Sequence, residues 1–135
     1  MNEMLKTWAM VFAAGCVGGL ANSVAVWSFG KLGLSSAMGV KIAPAWTPAW
    51  LYQRIVWGGL WGFLFLLPFL QSSVLLRGVL YSLGPTAVVL LVVFPLQAKK
   101  GMFGLELGAM TPVFAFIVNA VWGIATAWWL KLIQG

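Results

Sequence analysis

Four runs without a single charged residue divide this chain: residues 7–30, 55–76, 78–98 and 107–130, of 24, 22, 21 and 24 residues. A helix needs about 20 apolar residues to cross a hydrocarbon core about 30 Å thick. Every run has that length. The predicted fold class is an all-α integral membrane protein, a four-transmembrane-helix antiparallel bundle. Its helices are expected at about 5–29, 48–70, 73–96 and 111–133, with interfacial loops at 31–47 and 97–110.

Composition points the same way. Apolar residues make up 62% and charged residues 7%, against about 25% charged in an ordinary soluble domain. Four spans and their connections use nearly all of the 135 residues, so a single domain whose core is the bundle is expected. The net charge of +6 sets eight basic residues against Glu3 and Glu106. In a soluble protein that balance would suggest nucleic acid. Here most of the cations flank spans, where they meet lipid phosphates, and no cluster is larger than Lys99-Lys100. The expected partner is the lipid bilayer, not nucleic acid.

Histidine is absent and Cys16 is the only cysteine. Zinc, haem and iron–sulfur sites built from this chain alone are therefore not expected. Ser-His-Asp and Cys-His mechanisms are excluded within one chain. No metal, no cofactor and no enzymatic activity are predicted. The first run resembles a secretory signal, and Ala13-Ala14-Gly15-Cys16 resembles a lipoprotein cleavage box. Hydrophobicity continues to Phe29, beyond the apolar core of about 7–15 residues in a cleaved signal. An uncleaved first helix is the expectation, and lipidation at Cys16 the alternative.

Local signals set the boundaries. Thr47-Pro48 and Thr111-Pro112 each read as an N-cap followed by proline at the first helical position. Gly84-Pro85 predicts a bend in the third helix. A short connection makes the second and third helices a tight antiparallel hairpin. Leu32, Leu34, Met38, Val40 and Ile42 suggest that the first long loop lies on the interface. Lys31, Lys41, Arg54, Lys99 and Lys100 outnumber Lys6, Arg77 and Lys131 on the terminal face. The positive-inside rule then puts the long loops in the cytoplasm and the termini in the periplasm of a bacterial inner membrane.

Arg54-Ile55-Val56-Trp57-Gly58 follows the first Thr-Pro pair, and Asn119-Ala120-Val121-Trp122-Gly123 follows the second. The match predicts two tandem helical hairpins related by a pseudo-twofold along the membrane normal, with chance similarity as the alternative. Small residues at four-residue spacing mark helix-packing seams: Gly15, Gly19 and Ser23; Gly58 and Gly62; Asn119, Gly123 and Ala127. They serve either the bundle itself or a homodimer. Of the nine tryptophans, Trp8, Trp128 and Trp129 fall near one interface, and Trp27, Trp46 and Trp50 near the other. Trp57, Trp61 and Trp122 lie deeper and suit the filling of grooves beside glycines.

Polar residues within the runs carry the functional hint. Asn22, Arg54, Thr86 and Asn119 each fall about 9–15 Å from the loop-bearing face at the rise of an α-helix. One comes from each helix, so a shared polar layer is predicted, with Glu106 in the loop above as the partner of Arg54. Arg54 is also expected against the indole of Trp57 or Trp61. The layer reads in three ways: as cross-ties between helices, as a path or pocket for a small anion or polar solute, or as no layer at all, with Arg54 at the interface.

The leading functional expectation is a small multipass inner-membrane protein of structural or accessory type, working as a homo-oligomer or bound to another membrane protein. A channel or transporter acting through the Arg54 layer is the alternative. A lipid-modifying enzyme would have only Glu106 and Lys99-Lys100 to work with, a poor basis for such chemistry.

Overall fold

The computed structural model describes residues 3–40, 42, 46–66, 73–97, 104–105 and 108–134. Among these there is helix and no strand. Helix α1 is Glu3–Lys31, α2 Leu34–Ala37, α3 Pro48–Trp61, α4 Val74–Val88 and α5 Thr111–Gln134. A 3₁₀ segment, Gly62–Leu66, continues α3, and a π-helix, Val89–Gln97, continues α4.

Three helices are long and apolar enough to cross a membrane: Glu3–Lys31, Val74–Val93 and Thr111–Ile133. Their exposed surfaces carry large apolar side chains such as Leu5, Leu20, Leu76, Leu83, Val113 and Ile117, which suits contact with lipid. The expected second span is different. As an α-helix it has 14 residues, a rise of about 21 Å, before it tightens into the 3₁₀ segment. Three glycines, Gly58, Gly59 and Gly62, stand at that junction, each about 1 kcal/mol less favourable in a helix than alanine. The Gly62 N–H is shared among the carbonyls of Gly58, Gly59 and Leu60. Residues 67–70 of this expected span lie outside the described residues.

Capping explains where two helices begin. The Thr47 hydroxyl accepts from the Trp50 N–H at 3.2 Å, and Pro48, which has no N–H, needs no acceptor. Ser73 does the same for α4, accepting from the Leu76 N–H at 3.2 Å. Thr111 corrects the analogy drawn with Thr47. Its hydroxyl is buried and accepts nothing among the described residues. The turn is entered earlier instead, through the bonds from Thr111 N–H to the Gly108 carbonyl and from Phe114 N–H to the Met110 carbonyl. Helix α4 runs through Pro85 to Val88 and then widens into the π-helix, which contains Pro95. Each proline removes one donor from the i→i−4 ladder.

Helix α1 is the centre of the arrangement, antiparallel to α3 on one side and to α5 on the other; α5 in turn lies antiparallel against α4. The predicted seams are the contacts. A Cβ on Gly19 would lie 2.7 Å from the Arg54 carbonyl oxygen, and one on Gly58 would lie 2.7 Å from that of Gly15. A Cβ on Gly62 would lie 3.0 Å from the Gly15 Cα. Gly15-Gly19 and Gly58-Gly62 thus interlock backbone to backbone within one chain. Gly123 meets Gly78 in the same way at the α4/α5 crossing. The expected hairpin of the second and third helices is looser. There the 3₁₀ segment and α4 meet through side chains, with the Phe65 and Tyr81 rings at 4.8 Å and Leu64 and Trp61 over Gly84.

The apolar core falls into two clusters. Val11, Ala14, Phe65, Tyr81, Trp122, Ala127 and Leu130 fill the terminal half. Val26, Val40, Phe114 and Val118 fill the loop half, with Met38 and Ile42 against them. The first long loop therefore divides. Val40 is turned inward as a plug, whereas Leu32 is 75% exposed. Gly39 and Gly108 allow this closure: both have positive φ, and a Cβ on Gly108 would strike the Gly39 carbonyl.

Candidate functional site

Between the two apolar clusters lies a tier of polar side chains, one from each long helical segment. Asn22 on α1 is its hub. Its Oδ1 accepts from Nη2 of Arg54 on α3. Its Nδ2 donates to the Val118 carbonyl at 2.7 Å and to Oδ1 of Asn119 on α5 at 3.2 Å. The Asn119 Nδ2 donates in turn to Oγ1 of Thr86 on α4 at 3.2 Å. Arg54, Asn22, Asn119 and Thr86 thus form one continuous chain of hydrogen bonds across the bundle. Each amide accepts on the side of the guanidinium and donates away from it, so the cation polarises every bond in the same sense.

Ser23 belongs to this tier, although its spacing reads as a packing position. Its hydroxyl accepts from the Arg54 Nε at 3.0 Å and donates to the Gly19 carbonyl at 2.7 Å. The available signal was its place beside Asn22, which puts it at the same depth in the run. The equivalent pair recurs in the second half. Arg54 stands four residues before Gly58 and bonds Ser23; Asn119 stands four before Gly123 and bonds Thr86, eight residues after Gly78. One further tie joins the parallel helices: the Trp122 indole N–H donates to the Gly58 carbonyl at 3.2 Å.

The indole beside Arg54 is not the expected one. Its guanidinium carbon lies 4.9 Å from the Trp50 ring centroid. Trp57 is 62% exposed, and Trp61 packs against the terminal-half core. Side chains on a helix lean toward its N-terminus, which carries the long arginine back one turn to Trp50. Trp27, Trp46 and Trp50 form a ring ladder at the loop end, with centroid separations of 5.4 and 5.9 Å.

No carboxylate pairs with Arg54 among the described residues, where the ion pair is Lys6 with Glu3 at 3.4 Å. Glu106, its expected partner, lies outside the described residues. The remaining seam positions contribute no side chain to the tier: Gly15, Gly19, Gly58, Gly62 and Gly123 lie in helix crossings, and Ala127 lies in the terminal-half core. Gly78, the counterpart of Gly123, begins a Gly78-xxx-Ser82 pair with the same small-residue spacing, and only the α4/α5 crossing marks it as a seam. At the terminal end, Nη2 of Arg77 donates to the Phe65 carbonyl at 2.7 Å and sits over the Phe65 and Tyr81 rings. That clasp ties the end of the 3₁₀ segment to α4. No three metal-ligating side chains gather among the described residues.

The chain matches no known family model, no curated protein and no solved structure.

Proposed function

We propose that the chain crosses the bilayer four times and is a structural or accessory membrane protein, its helices locked in register by the Asn22 tier. α3 and its 3₁₀ extension together rise about 31 Å, the thickness of a hydrocarbon core. They run beside α1 from Gly62, opposite Val11, to Arg54, opposite Gly19. The observation that carries the functional reading is the mutual satisfaction of the tier. Asn22, Asn119, Thr86 and Ser23 spend their polar groups on one another, on Arg54 and on the carbonyls of Val118 and Gly19. Groups arranged to hold helices together look like this. The recurring Arg54–Ser23 and Asn119–Thr86 ties, each beside a glycine crossing, support an origin by hairpin duplication. Because both seams are occupied within the chain, a partner membrane protein or a second copy would use the outer faces. The long loops are assigned to the cytoplasm and the termini to the periplasm of a bacterial inner membrane.

A second reading rests on one observation: Arg54 has no carboxylate partner among the described residues. A half-buried guanidinium of this kind could attract a small anion into the tier. Flux measurements in proteoliposomes separate the two. Under the structural reading the parent chain passes no more halide, nitrate or phosphate than empty vesicles. Anion flux lost in Arg54→Ala would replace it with the transport reading.

A further inference from the structure

We propose that the cleft between α4 and α5 at the terminal end binds one anionic phospholipid, an acyl chain along the cleft and the phosphate on Lys131. The cleft, about 580 Å³, is lined by Val74 and Leu75 of α4 and by Ile124, Trp128, Lys131 and Leu132 of α5. The two helices touch backbone to backbone at Gly78 and Gly123. Beyond that crossing both carry large side chains, which leave the hollow.

The parts follow the order of a phospholipid. Ile124, Trp128 and Lys131 recur at spacings of four and three, so they share one face of α5. The cleft reaches about 10 Å inward from Lys131 to Ile124, about two-thirds of one leaflet of a core about 30 Å thick. Its inner walls offer only hydrocarbon and an indole. Its one charge lies at the outer end of the Thr111–Ile133 span, the level of lipid phosphates, beside a tryptophan suited to the same depth.

Charge favours lipid over a second copy as the occupant. Lys131 is exposed and makes no ion pair among the described residues, whereas Lys6 at the same end is paired with Glu3. The chain has two acidic residues against eight basic ones. A second copy would have little to offer an ammonium group, while an anionic headgroup neutralises it.

Native mass spectrometry of the full chain, with phosphatidylglycerol and phosphatidylcholine of identical acyl chains, tests the site. One lysine near an anionic headgroup corresponds to about fivefold preference, so phosphatidylglycerol should be retained about fivefold better. Lys131→Gln should make the two lipids equal, Lys6→Gln should keep the preference, and Ile124→Trp, which fills the cleft, should lower retention of both. Equal retention by the parent chain, or a preference that survives Lys131→Gln, would overturn the proposal. So would a parent dimer that Ile124→Trp converts to monomer with lipid retention unchanged, because the cleft would then hold a second copy.

Discussion

Single side chains decide the tier, and Asn22 decides most of it. It makes three of the tier's hydrogen bonds, to Arg54, the Val118 carbonyl and Asn119. Interhelical hydrogen bonds in membranes are worth about 0.6 kcal/mol each on average. Asn22→Ala should therefore cost about 2 kcal/mol, and Thr86→Val, at the end of the chain, about 0.6 kcal/mol. Unfolding titrations in mixed micelles would check the ratio, and equal costs would mean that the tier is not a connected chain. Arg54→Lys should not rescue the arginine. Its Nε and Nη2 serve Ser23 and Asn22 from one rigid fork, a geometry that a single ammonium does not reproduce. We expect Arg54→Lys to be as destabilising as Arg54→Gln in the same titration.

Helices meet here through glycine, and the tolerance of each position follows from what a Cβ would touch. At Gly58 it would meet the Gly15 carbonyl oxygen at 2.7 Å and the Gly19 Cα at 2.8 Å, both backbone. At Gly84 it would meet the tip of the Leu64 side chain at 3.0 Å, which can swing aside. Gly58→Ala should force α1 and α3 apart and lower the midpoint of unfolding, whereas Gly84→Ala should leave it unchanged or raise it. Alanine is about 1 kcal/mol better than glycine within a helix. A thermal scan of the two variants side by side would check this, and a neutral Gly58→Ala would remove the interlocked seam. The four-residue glycine spacing made these crossings legible before any coordinates. What that spacing does not contain is the partner face, so it does not single out Gly78-xxx-Ser82 as a seam, and one strip could have served a homodimer equally well.

The bundle as a whole is asymmetric, with α1 buried between α3 and α5 and the edge between α3 and α4 closed by side chains and the Arg77 clasp. Both loop regions meet at one end, at Gly39 and Gly108. In a Cys16→Ala background, Ser36→Cys and Leu105→Cys should react with a membrane-impermeant thiol reagent from the same side, and Leu132→Cys from the opposite side. Labelling of Ser36→Cys and Leu105→Cys from opposite sides would remove the four-span topology. Hydrophobic run length located the three helices that are long and apolar enough to cross a membrane, because a membrane imposes that length on any helix that crosses it. It did not foresee that the second run would hold a 14-residue α-helix passing into a 3₁₀ segment. The same reasoning brought Asn22, Arg54, Thr86 and Asn119 to one level, since polar side chains in apolar runs are conspicuous and helical rise converts sequence position into depth. Depth says nothing of direction around a helix axis. Only the tertiary structure decided that Asn22 is the hub, that Ser23 accepts from Arg54, that the indole over the guanidinium is Trp50, and that the seams close on one another. Those are matters of which helix faces which, and they depend on contacts between residues up to 97 positions apart, which no local pattern encodes.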